Sequence, residues 1–147
     1  MINVKTLRGL AVAATLILGT EMAIAGDASV LAQRFEATEN AVNAKDAKAW
    51  AEAMYADNVV VVGEGSQQPI RGLAALLPVM EEIVAGAQSC SIEMNDAVVG
   101  AEQASTFATW SCTPVEGEPY QVRALYVWEQ QKVGWRVIAE MYGMGNM

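Results

Sequence analysis

Residues 89–113 read SCSIEMNDAVVGAEQASTFATWSCT. Two stretches that read as strands, 89–99 and 104–113, flank Gly100-Ala101-Glu102-Gln103. That pattern reads as a β-hairpin. A hairpin centred on residue 101 sets Cys90 directly opposite Cys112, with Cβ atoms about 5 Å apart. Opposed cysteines at that spacing can be bridged with little backbone movement. A slip of one residue would put them on opposite faces and leave two free thiols.

Working outward, three strands follow the first cysteine strand, over 104–114, 119–131 and 135–142. Turns at Pro114–Pro119 and Gln131–Gly134 separate them. The last two carry Tyr120, Tyr126, Trp128, Trp135 and Tyr142. Upstream the period changes. Leu31, Phe35, Thr38 and Val42 recur at helical spacing and predict an amphipathic helix over 28–44. Asp46 stands as an N-cap before a second helix that lines up Ala47, Trp50, Ala51 and Met54 and stops near Ala56. Val59–Val62 predicts a buried strand. Gly63–Pro69 is a loop. Residues 72–84 return to helical composition, and Pro78 predicts an irregular third helix. Helices first and antiparallel strands after them define an α+β domain.

The amino terminus has its own pattern. MINVKTLR is basic, GLAVAATLILG is an apolar run of 11 residues, and Ala23-Ile24-Ala25 has small residues at cleavage-site spacing. This predicts a secretory signal peptide over 1–25, cleavage after Ala25, a domain over 26–147 and a periplasmic or secreted location. The alternative is an uncleaved anchor, although the run is shorter than the roughly 20 residues of a membrane span. In an exported chain, two cysteines favour the disulfide. The net charge is −8, and losing Lys5, Arg8 and Glu21 makes it −9. Such a surface repels nucleic acid and anionic lipid, so neither is an expected partner, nor is stable membrane insertion after cleavage. The chain has no histidine. That excludes Ser-His-Asp and Cys-His catalysis and nearly all zinc and non-haem iron sites. No metal and no organic cofactor are expected.

Four short pieces carry a resemblance: Asn43-Ala44-Lys45-Asp46, Tyr55-Ala56-Asp57-Asn58, Pro69-Ile70-Arg71-Gly72 and Gly134-Trp135-Arg136-Val137-Ile138. In their order and spacing the chain resembles the NTF2-like superfamily, and within it the SnoaL-like or DUF4440-type single-domain proteins. The resemblance implies a cystatin-like cone, in which a curved antiparallel sheet wraps three N-terminal helices and leaves an apolar pocket at its open end. It also implies dimers through the outer face of the sheet. The superfamily holds isomerases, cyclases, hydrolases, dehydratases and binding modules, so the fold alone does not name the function.

In steroid-isomerase-like members the proton-shuttling carboxylate follows the aromatic of the Tyr-x-x-Asp turn by eight residues. Counted from Tyr55, that position is Gly63. Glu64 lies one step further, and a glycine bulge would have to turn it inward. The other positions of that pattern fall near Thr38, Ala124 or Leu125, and the last-strand histidines of relatives fall at Ala139 and Met141. None can serve, so an enolising isomerase is disfavoured. Glu140 is the other candidate carboxylate. It alternates with Arg136 and Ile138, and faces either the pocket or the outer surface beside Arg123 or Arg136. Arg71 either grips a ligand carboxylate at the pocket mouth or fixes its loop. Trp50, Tyr55, Met94, Trp110, Tyr126 and Met141 are candidate pocket walls, each equally readable as ordinary core. Two apolar sheet faces predict a homodimer. The expectation is an exported domain that binds a small hydrophobic molecule. The alternatives are a carboxylate acid–base enzyme using Glu64 or Glu140, and a protein-interaction module with a filled cone.

Overall fold

A computed structural model describes residues 27–147; the leader expected over 1–25 lies outside the described residues. Helix α1 (Ser29–Asn43) buries Leu31, Phe35, Thr38, Ala41 and Val42. Lys45 then takes a positive φ of 63° and reverses the chain. Its ammonium group donates to the Ala87 carbonyl, tying the turn to the sheet. Asp46 caps α2 (Ala47–Met54): its Oδ1 accepts from the Ala49 N–H at 2.9 Å. This satisfies a donor that the first helical turn leaves free.

Strand β1 (Tyr55–Gly63) takes over directly from α2. Its valines are not equally buried: Val59 and Val61 face the core, while Val60 and Val62 are half-buried. After the short β2 (Ile70–Arg71), helix α3 spans Leu73–Gly86 without interruption at Pro78. Both Pro78 and Ala74 are exposed. Water can therefore satisfy the carbonyl that proline leaves unpaired. Strands β3 (Ala87–Val99), β4 (Gln103–Pro114), β5 (Tyr120–Gln131) and β6 (Gly134–Met144) complete a curved, unclosed sheet of order β2-β1-β6-β5-β4-β3. One pairing departs from the antiparallel expectation: β1 runs parallel to β6. No hairpin joins these two strands, so no tight turn dictates their relative direction.

The core lies between the helices and one sheet face. There Phe35 meets Tyr126 and Trp128 edge-on, at centroid distances of 5.4 and 5.5 Å. In the β3–β4 hairpin Cys90 stands opposite Cys112 and the two form a disulfide. The pairing is not uniform along the hairpin. A bulge between Met94 and Asp96 shifts it by one residue, so the tip pairs Val99 with Ala104. Asn95, the extra residue, accepts a hydrogen bond from the Thr109 hydroxyl at 2.8 Å.

A second bulge positions the site. On β6, Val137 pairs with Trp128 and Ala139 with Val127, leaving Ile138 unmatched. Side chains alternate across a strand, so one extra residue reverses which positions face inward. Before it, Trp135 and Val137 face the helices; after it, Glu140 takes that face, opposite Tyr126.

Candidate active site and ligand cavity

The inward turn of β6 opens a cavity of about 200 Å³ at one end of the core. Trp50 of α2 and Ile83 of α3 form one wall. Trp110 and Cys112 of β4, and Tyr120, Val122 and Tyr126 of β5, form the sheet side. Glu140 and Tyr142 of β6 complete it. Apart from Glu140 the lining carries no carboxyl, amine or guanidinium group. Aromatic packing stiffens the wall: the Trp50 and Trp110 centroids lie 5.4 Å apart, and those of Trp50 and Tyr55 6.3 Å apart.

The Tyr55 hydroxyl donates to Glu140 Oε2 at 2.6 Å. Burial pushes the Glu140 carboxyl up to about 7, against the opposing pull of that hydrogen bond. Removing a carboxylate from water costs more than one neutral hydrogen bond returns. Near neutral pH Glu140 therefore populates both forms, a donor when protonated and an acceptor when ionised. Burial also lifts the Tyr55 and Tyr126 hydroxyls well above their usual range, and the nearby Glu140 charge adds to it. The Trp110 indole donates to the Tyr126 oxygen at 2.9 Å. The Tyr126 oxygen only accepts, and its proton has no acceptor among the described residues. The Trp50 indole N–H is also without a hydrogen-bond partner there.

Residues 32–134 match the family described as SnoaL-like domain, which is most of the chain. The protein belongs to the SnoaL-like domain family. Solved structures agree on the fold. A ketosteroid isomerase-like protein from Erwinia carotovora atroseptica is 19% identical, with a TM-score of 0.68 over 81% of this chain and 96% of that one. An NTF-2 like protein from Shewanella oneidensis is 11% identical, with a TM-score of 0.68 over 78% and 97%. An NTF2-like protein with a cystatin-like fold from Novosphingobium aromaticivorans is 14% identical, with a TM-score of 0.65 over 80% and 81%. At these identities the likeness is one of architecture. No curated protein matches the sequence.

Of the residues singled out from the sequence, this SnoaL-like domain brings Trp50, Trp110, Tyr126 and Glu140 to the cavity, with Tyr55 behind Glu140. Four others lie elsewhere. Met141 is 60% exposed on the outer face, because the Ile138 bulge gives the inner face to Glu140. Met94 sits half-buried on β3 opposite Ala108, outside the lining. Arg71 is exposed on β2, where it pairs with Val60. Glu64 is not turned inward. Its N–H donates to the Tyr142 carbonyl at 2.9 Å, and its Oε2 accepts from the Met144 N–H at 2.6 Å. It thus extends the β1–β6 pairing past the end of β1.

The sequence reading passed over Ile83, Tyr120, Val122 and Tyr142 as wall residues. Tyr120 and Val122 share the alternation phase of Tyr126, which was a usable signal. Ile83 had none, since its role depends on how α3 leans on the sheet. Among the described residues no three potential metal ligands cluster. A larger hollow of about 770 Å³ lies over the disulfide, lined by Ser89, Ser91, Ser111, Thr113 and Gln121 among others. Its lining holds no carboxyl, amine or guanidinium group.

Proposed function

We propose that this SnoaL-like domain binds a small, largely apolar molecule in the cavity and recognises one polar group on it through Glu140. The observation that carries this reading is a single carboxyl, oriented by Tyr55, on an otherwise uncharged and mainly aromatic wall. Apolar clefts with a few oriented polar groups are the usual form of small-molecule sites. At about 200 Å³ the space is smaller than the roughly 300–1,000 Å³ of many ligand pockets. It equals about seven water molecules at about 30 Å³ each, enough for one ring or a short branched chain. Thermal unfolding against a panel of such compounds tests the reading. Binders should raise Tm in proportion to log concentration, and a panel with no binder would reject it.

A second reading is acid–base catalysis by Glu140. It is favoured by a carboxyl titrating near 7, where a proton is most readily both taken up and released. The Tyr126 hydroxyl, already accepting from Trp110, would be the accompanying donor. Turnover abolished in Glu140→Gln, with the fold and guest binding intact, would establish it; undiminished turnover would exclude Glu140.

We further propose export after cleavage at Ala25 and a homodimer through the outer sheet face. Phe107, Leu125, Met141 and Val62 are successive partners across β4, β5, β6 and β1 and form an apolar row there. Five strands about 4.8 Å apart and ten residues long give about 800 Å² per partner. That is the size of a standard interface. Light scattering at micromolar concentration should give a dimer, and mass spectrometry of the exported product a mature terminus at Gly26. A monomer, or an intact Met1, would refute the respective proposal.

A further inference from the structure

We propose that the guest is a small organic ammonium ion, its charge set against Glu140 and its alkyl groups against the aromatic walls. The proposal rests on the ligand-binding reading and names the chemical class of the ligand.

Three features point to a cation. Five aromatic residues line the cavity: Trp50, Trp110, Tyr120, Tyr126 and Tyr142. Aromatic faces carry negative quadrupole density, and several rings around one space form the cage that attracts an alkylated ammonium. Glu140 supplies the only formal charge on the lining, and that charge is negative. Tyr55 engages Oε2 and leaves Oε1 without a hydrogen bond among the described residues. An anionic guest would find no lysine or arginine in the lining to pair with. A neutral apolar guest would leave Glu140 desolvated with only Tyr55 for support. A cation alone compensates the carboxylate and uses the ring faces together. The overall charge of −8 attracts cations to the surface as well. A cavity of about 200 Å³ suits a trimethylammonium-sized head with a short chain.

Binding is then linked to the Glu140 proton. The titratable groups around Glu140 are Tyr55 on β1, which donates to it, and Tyr120 and Tyr126 on β5 and Tyr142 on β6, which share its cavity. Trp50 and Ile83 on the two helices do not titrate, nor does the disulfide-bonded Cys112 on β4. Burial keeps the Tyr55 and Tyr126 hydroxyls protonated through neutral pH. The cation therefore competes with a single proton. Affinity is full above the Glu140 midpoint and falls as pH drops through about 7.

The test is titration calorimetry of the full domain with choline and with its uncharged carbon isostere, 3,3-dimethylbutan-1-ol, at pH 8 and pH 6. Choline should bind at least tenfold tighter than the isostere at pH 8. It should lose several-fold in affinity at pH 6. In Glu140→Gln the preference for choline over the isostere should collapse, and with it the loss of choline affinity between pH 8 and pH 6. Proton release by the unmutated domain, read at pH 6 from buffers of different ionisation enthalpy, provides a measure that needs no variant. If the isostere binds as tightly as choline, with no proton release, the ammonium assignment fails and the apolar-ligand reading survives. If neither compound binds at millimolar concentration, the ammonium assignment is overturned. The wider ligand reading then falls only if the uncharged panel fails as well.

Discussion

Replacing Glu140 by glutamine should change how stability depends on pH more than it changes the fold. The glutamine amide keeps the side-chain shape and an oxygen that accepts from Tyr55, but it does not titrate. In the folded protein the Glu140 carboxyl titrates near 7, against 4.5 for an unperturbed glutamate. The folded state therefore holds the proton more tightly than the unfolded state. Below pH 4.5 both states are protonated and the group costs nothing. Between 4.5 and 7 the unfolded chain releases its proton while the folded chain keeps it, so stability falls as pH rises. Above 7 the loss is complete. The difference of about 2.5 pH units corresponds to about 3 kcal/mol. The other carboxylates titrate in both proteins and cancel in the difference. Urea unfolding of both forms at fixed protein concentration, disulfide intact, from pH 4.5 to 8 measures it. The unmutated domain should lose about 3 kcal/mol relative to Glu140→Gln across that range. A difference that stays flat would refute the argument that burial governs this carboxyl.

Other consequences follow from the same geometry. Tyr55→Phe removes the hydrogen bond that favours the ionised form, so the Glu140 midpoint should rise above about 7, as read from its side-chain carbon by NMR. A Cβ at Gly63 would overlap the Tyr142 hydroxyl, so Gly63→Ala should cost about 1–3 kcal/mol in urea unfolding. It should also weaken guest binding by displacing a wall residue. Replacing both Cys90 and Cys112 by alanine releases a cross-link spanning 22 residues and should cost about 3 kcal/mol in denaturant unfolding.

The features legible in the sequence were local ones. The Asp46 cap, the burial stripe Leu31-Phe35-Thr38-Val42 and the opposition of Cys90 and Cys112 each follow from neighbours in sequence or from one hairpin. The cysteine register was legible even though the Asn95 bulge shifts the hairpin tip by one residue. What remained hidden depended on contacts between distant segments. The parallel pairing of β1 with β6 has no turn to announce it. The Ile138 bulge has no glycine or proline to mark it, yet it decides that Glu140 faces inward while Met141 does not. Strict alternation would have put Glu140 and Arg136 on one face and paired them as a surface bridge. Glu64 was singled out by counting from a pattern of relatives. Its hydrogen bonds to β6 give it a structural role instead.

The central claim is that the SnoaL-like fold of this chain leaves a guest-accessible space beside Glu140. The chain's four tryptophans report on it most directly. Trp50 and Trp110 line the cavity, and Trp135 stands at the start of β6, outside the lining. In a proton–nitrogen NMR titration with small one-ring or branched-chain guests, the Trp50 and Trp110 indole signals should shift saturably while Trp135 holds still. Shifts confined to Trp135, or no saturable shift with any guest, would contradict the account.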